Sequence, residues 1–177
     1  MSDRVLVACG TKFGATAEIA EAIGTALRVA GLRVNVTRAR KVRSLNPYRA
    51  VVLGSAGYMA RWRRDAMRLL RHRRRELAQR DVWLFWSGSV GEDKGEQDAQ
   101  QERWTKPKRA QQLASEIGAR EHVVFGGRVS DYAGSFMRKK MARNIPPELR
   151  ERRDWDTIEA WARKIAAALH EPPAAGG

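Results

Sequence analysis

The sequence predicts an α/β domain in which a five-stranded, doubly wound parallel sheet is flanked by helices. Three observations carry this expectation. Short apolar runs alternate with segments of helical periodicity, the pattern of successive β-α-β units. Three of the runs are almost continuously apolar, as strands covered on both faces are. The chain has 177 residues, 43% of them hydrophobic, which suits one domain with a substantial core and is short for two.

The first run is Val5-Leu6-Val7-Ala8-Cys9. A helix follows in which Ile19, Ile23 and Leu27 stand four apart, Ala20, Ala26 and Ala30 widen the stripe, and Gly31 provides a stop. The second run, around Val34-Asn35-Val36, is more polar, as an edge strand can be. The third is Ala50-Val51-Val52-Leu53-Gly54, followed by an arginine-crowded helix with the stripe Trp62, Ala66, Leu69, Leu70 and Leu77. Val82-Trp83-Leu84-Phe85-Trp86 is the fourth run, and a helix over roughly 108–119 leads to the fifth, His122-Val123-Val124-Phe125. The last helix is capped by Asp154 and keeps Trp155, Ile158, Ala162, Ile165 and Leu169 on one face. Of the two common orders for such a sheet, 2-1-3-4-5 is the one expected here. The domain is expected over 1–170, with a long loop at 89–107, a basic connection at 128–154 and a flexible tail at 171–177.

Thirty-four Lys and Arg face twenty Asp and Glu, a formal net charge of +14. Unpaired charges are costly to bury, so the excess lies on the surface and favours anionic partners. Cys9 is the only cysteine and makes no internal disulfide, so the fold does not need an oxidising compartment. The apolar run after Met1-Ser2-Asp3-Arg4 is too short for a signal peptide, and no stretch has the length of a membrane span. A cytoplasmic location follows as the expectation, with peripheral contact on the inner face of the membrane as an extension of it. His72, His122 and His170 are scattered, and no structural metal is expected.

In a doubly wound sheet, ligands sit beyond the carboxyl ends of the strands where strand order reverses. The first β-α turn reads Gly10-Thr11-Lys12-Phe13-Gly14-Ala15-Thr16. A phosphate needs backbone N–H groups, hydroxyls and a helix N-terminus. Gly14 allows close approach, Thr11 and Thr16 offer hydroxyls, and Lys12 either adds charge or points to solvent. No G-x-x-x-x-G-K-[ST] or G-x-G-x-x-G pattern is present, and Thr37-Arg38 stands where a ribose-binding acid belongs. A monophosphate suits so compact a loop better than a pyrophosphate; the plain alternative is a turn that merely joins strand to helix.

This loop resembles the phosphate loop of the flavodoxin superfamily, and the likeness extends over most of the chain. Gly54-Ser55-Ala56-Gly57-Tyr58-Met59 and Trp86-Ser87-Gly88-Ser89-Val90-Gly91 resemble its two further loops around flavin mononucleotide (FMN). Phe125-Gly126-Gly127-Arg128 and Arg153-Asp154-Trp155-Asp156 resemble the branch that includes the menaquinone-dependent protoporphyrinogen oxidases. The resemblance implies a flavodoxin-like fold with Thr11, Lys12, Phe13, Gly14, Ala15 and Thr16 at the FMN phosphate. Ala56, Gly57, Tyr58 and Met59 then border one side of the isoalloxazine ring, and Ser87, Gly88 and Ser89 the other. Gly10 and Phe13 depart from the family pattern, each at a position that relatives often fill with a polar residue. The 89–107 segment matches the oxidase's basic insert in position, but its first half is acidic.

Tyr58, Trp62 and Trp86 lie near the expected flavin rim. Trp62 continues a helical stripe and Trp86 ends a buried strand, so core packing suits both at least as well as a flavin contact, and Tyr58 is the better flavin contact. Nine arginines crowd Arg61 to Arg80. They read as a solvated face, as a contact for anionic lipid with Phe136 to Met141 as apolar anchor, or as a dock for an acidic redox protein. Nucleic acid is the weaker partner, since no nucleic-acid motif accompanies the charge. The leading expectation is an FMN oxidoreductase, without catalytic side chains, that moves electrons from a reduced substrate such as protoporphyrinogen to a quinone. A non-enzymatic FMN carrier, a flavin-free binding module and a deazaflavin-binding variant are the alternatives.

Overall fold

The computed structural model describes residues 3–12, 14–58, 61–88, 107–128 and 150–171. Phe13, Met59, Ser89, most of the 89–107 loop, the Phe136–Met141 piece and the tail from 172 onward lie outside the described residues.

Strand β1 (Arg4–Gly10) leads into α1 (Ala15–Val29), and β2 (Arg33–Arg38) follows with a short 3-10 turn at Ala39–Lys41. Next come β3 (Tyr48–Tyr58), β4 (Arg61–Trp62), α2 (Arg64–His72), α3 (Arg74–Leu77) and β5 (Asp81–Gly88). Then α4 (Lys108–Glu116), β6 (Glu121–Gly126) and α5 (Trp155–His170) complete the described elements. The sheet order is β2-β1-β3-β5-β6, with every neighbour in that path parallel. The five long strands thus take the predicted 2-1-3-4-5 order.

Register lays Val7 between Val36 and Val52, Val52 beside Trp83, and Phe85 beside Val123. Because side chains alternate along a strand, each strand feeds two cores. Val5, Val7, Val52 and Phe85 pack under α1 and α5, against Ile19, Ile23, Leu27, Ile158, Trp161 and Ile165. Leu6, Val51, Leu53, Leu84 and Trp86 pack under α2, α3 and α4, against Leu70, Leu77 and Leu113. Gly31 adopts φ 87°, and Leu32 N–H and Gly31 N–H return to the carbonyls of Leu27 and Arg28, so α1 ends where the sequence placed its stop. Asp154 caps α5 by accepting from Thr157 N–H at 3.1 Å.

Three expectations need correction. Trp62 is not helical: it lies in β4, antiparallel to the end of β3, and still buries its ring. The arginine-rich helix is two helices, because Arg73 (φ −103°, ψ 16°) leaves helical geometry. Its guanidinium is bonded to the Arg43 carbonyl at 2.8 Å and to Glu76. Trp155 is 38% exposed under the Arg153 guanidinium, and Trp161 takes the core position, edge-on to Phe85 and Phe125. Among the described residues no helix is long and apolar enough to cross a membrane.

Candidate functional site

The chain leaves β1 toward β2 on one side and returns to β3 on the other. The carboxyl ends of β1 and β3 therefore flank the switch point, with β5 alongside. Gly14 sits at the N-cap of α1 with φ 92°, a left-handed conformation that glycine adopts without strain. No side chain caps the helix. Gly14 N–H instead donates to Thr11 Oγ1 at 3.0 Å, which pins the turn and keeps Thr11 buried. Among the described residues no acceptor takes the N–H groups of Ala15 and Thr16, which stand at the positive end of the helix dipole and suit an anion. Lys12 is exposed, and Ala15 is half-buried at the first helical position.

The Thr16 hydroxyl is buried and lies 2.7 Å from Ser87 Oγ, so it ties the first loop to the third. The second loop is braced in a similar way by Ser55. Its hydroxyl donates to the Ala56 carbonyl at 3.0 Å and accepts from Arg63 N–H at 2.8 Å.

Small residues line the ends of β3 and β5. Ala56 lies beside Ser87, and Gly88 beside Gly126. Gly57 pairs with Trp62, and Tyr58 with Arg61. A Cβ on Gly57 would stand 2.1 Å from the Trp86 ring, and one on Gly88 would stand 2.8 Å from its Nε1. Trp86 is thus a buried wedge between the second and third loops, and both glycines make room for it. The Gly10 departure also has a packing cause. A Cβ there would lie 2.7 Å from Asp65 Oδ1 and 2.9 Å from the Cβ atoms of Arg63 and Ala66. The start of α2 occupies the space that a hydroxyl side chain would need.

Sequence reasoning missed the group that closes the α1 side. Arg153 has a side chain only 3% exposed; its guanidinium meets Glu151 and Glu18, each at 2.5 Å, and reaches the Ala15 carbonyl at 3.4 Å. Arg128 lies 3.8 Å from Glu18 on the same side. The hydrogen bond from Arg153 holds the Glu151 carboxyl below its ordinary value, against the opposing effect of burial. Both arginines lie in stretches singled out for family resemblance, but nothing local pairs them with Glu18. Cys9, on β1, is pushed up to about 11 chiefly by burial, so it is a neutral thiol and not a nucleophile.

Residues 6–154 match the family profile described as flavodoxin domain. The chain belongs to the flavodoxin domain family. Membership indicates FMN binding and electron transfer for this flavodoxin-domain protein. Its site fits such a group: an uncapped helix N-terminus for a phosphate stands next to a wall of small residues at the ends of β3 and β5. No curated protein gives a significant sequence match.

Solved structures agree in fold. A mutant flavodoxin from Pseudomonas aeruginosa superposes with a TM-score of 0.61 at 17% identity, over 95% of this chain and 99% of that one. A flavodoxin from the domain Archaea gives 0.60 at 16% identity, with the same coverage of 95% and 99%. The rubredoxin oxygen:oxidoreductase from the anaerobe Desulfovibrio gigas gives 0.61 at 13% identity over 95% of this chain, but only 36% of that one.

Proposed function

We propose that this flavodoxin-domain protein uses FMN to carry electrons between redox partners. The observation that carries the proposal is the convergence of the open N-terminus of α1 with the ends of β3 and β5, tied together by the Thr16–Ser87 hydrogen bond. The phosphate is held by the N–H groups of Ala15 and Thr16, with Thr11, Lys12 and Gly14 in the turn that aims them. Ala56, Gly57 and Tyr58 border one side of the ring, and Ser87 and Gly88 the other. FMN, when bound, supplies one- and two-electron transfer on its own ring system. The chain positions it, limits water around it and, through its positive charge, favours electron-rich flavin.

Purified protein is expected to be yellow, or to show a shifted flavin spectrum on titration with FMN. A colourless protein with no spectral change at roughly 50 μM FMN, the range of a weak ligand site, overturns the proposal. The same titration with a deazaflavin tests that alternative cofactor.

A second reading, oxidation of a reduced substrate such as protoporphyrinogen with a quinone as acceptor, is favoured by one observation. The two stretches that resemble that oxidase branch meet at one carboxylate: Arg128 lies 3.8 Å from Glu18, and Arg153 lies 2.5 Å from it. Anaerobic FMN-loaded protein should then bleach on adding protoporphyrinogen and recolour on adding a menaquinone analogue. Bleaching only in the presence of a reductase protein supports the carrier instead.

A further inference from the structure

We infer that the arginine face of α2 and α3, together with the turn packed beside it, is a docking surface for an acidic electron-carrier protein. The inference rests on the proposed electron-transfer function, since only then must a partner come close to the crevice.

Charge is concentrated here. Residues 33–80 contain fifteen Lys and Arg against two Asp and Glu, a net of +13 out of +14 for the whole chain. Arg64, Arg68 and Arg71 are exposed at helical spacing on α2, and Arg74 and Arg75 are exposed on α3. Arg40, Lys41 and Arg43 are exposed on the neighbouring turn, against which α2 packs. The two carboxylates are already engaged. Glu76 pairs with Arg73 at 2.8 Å, and Asp65 accepts from Ala66 N–H at 3.0 Å. Among the described residues, Arg61, Arg64, Arg68 and Arg75 make no ion pair.

So many like charges on one face repel one another and gain most from an acidic surface laid across them. Arginine forks match carboxylates in bidentate geometry, which gives such a surface register as well as attraction.

Two features favour a redox protein over a lipid surface. The patch begins at the crevice itself, where Arg61 pairs with Tyr58 and Arg63 N–H is bonded to Ser55. A partner seated on α2 is therefore next to the ends of β3 and β1. Helices that lie on membranes also insert apolar side chains. The exposed large apolar residues among those described are Val29 and Trp155, and neither lies on α2 or α3.

The test titrates a dye-labelled acidic [2Fe–2S] ferredoxin with the full chain, with and without FMN, and follows anisotropy. Binding should weaken at least about tenfold between low and roughly 0.3 M salt, where the screening length is short. The variant R64Q/R68Q/R71Q/R75Q should bind about tenfold more weakly at low salt, show a shallower salt dependence and melt no lower than the native chain. With FMN loaded, its electron-transfer rate to the ferredoxin should fall by a similar factor. Native-like affinity or rate in the variant overturns the inference. So does a chain that ignores the ferredoxin but sediments with phosphatidylserine vesicles through these arginines. Because docking is also read without flavin, a failure to bind FMN defeats the proposed function and leaves this measurement intact.

Discussion

At the scale of single residues, the site is shaped as much by what packs behind it as by what faces a ligand. Gly57 illustrates this: it resembles a ring-contacting glycine, yet a Cβ added there would stand 2.1 Å from the Trp86 indole. Gly57→Ala should therefore destabilise the protein by about 1–3 kcal/mol, as overpacking of a dense core does. Urea denaturation reads this, and an unchanged midpoint would show that Trp86 can move aside. Arg153 carries a second prediction. Its hydrogen bond depresses the Glu151 carboxyl below the ordinary 4.5. A depressed folded-state value contributes stability above the unfolded value and loses it as pH falls through the folded one. The stability gap between native protein and Glu151→Gln should thus be widest above pH 4.5 and close as acid is added. A gap that stays constant down to about pH 2 would rule out this ion pair as its source.

At the scale of elements, the loops act through ties across the sheet. The Thr16–Ser87 hydrogen bond joins the first turn of α1 to the end of β5 at 2.7 Å, with both residues buried. Thr16→Val and Ser87→Ala should each destabilise by about 1 kcal/mol, and the double variant should lose less than their sum. A coupling near zero in that cycle would mean that the two loops hold their places independently. FMN affinity should fall in both single variants, because a helix N-terminus binds an anion well only when its direction is fixed.

At the scale of the whole molecule, ligand and fold are linked. A cofactor bound only by the folded state stabilises it by about 2.7 kcal/mol at one hundred times its dissociation constant. The melting temperature should therefore climb with added FMN, and riboflavin, which lacks the phosphate, should raise it much less. Equal effects of the two would place the binding energy on the ring and away from α1. Net charge works against the fold at this scale, since +14 spread over one small surface repels itself.

Much of this was legible in the sequence because it is recorded in neighbouring residues. The apolar runs marked the five long strands, turn chemistry marked Gly14 and Gly31, and Asp154 marked the start of α5. Periodicity also named most of the core, since a stripe at helical spacing has only one face to bury. It failed where spacing was satisfied by the wrong neighbour. Trp155 fits the stripe of α5, but Trp161 fills the core, because its ring meets Phe85 and Phe125 and its Nε1 reaches Glu121 at 2.8 Å. Only the tertiary structure decided the β4 pairing, the wedge of Trp86, and the reach of Arg153 to Glu18 across 135 residues. Each depends on atoms brought together by the fold from distant parts of the chain, and no local pattern encodes that distance. The first β-α turn belongs to both accounts. Its residues marked it as the candidate anion site at the end of β1, while its buried Thr16 and its crowded Gly10 followed from β5 and α2 closing around it.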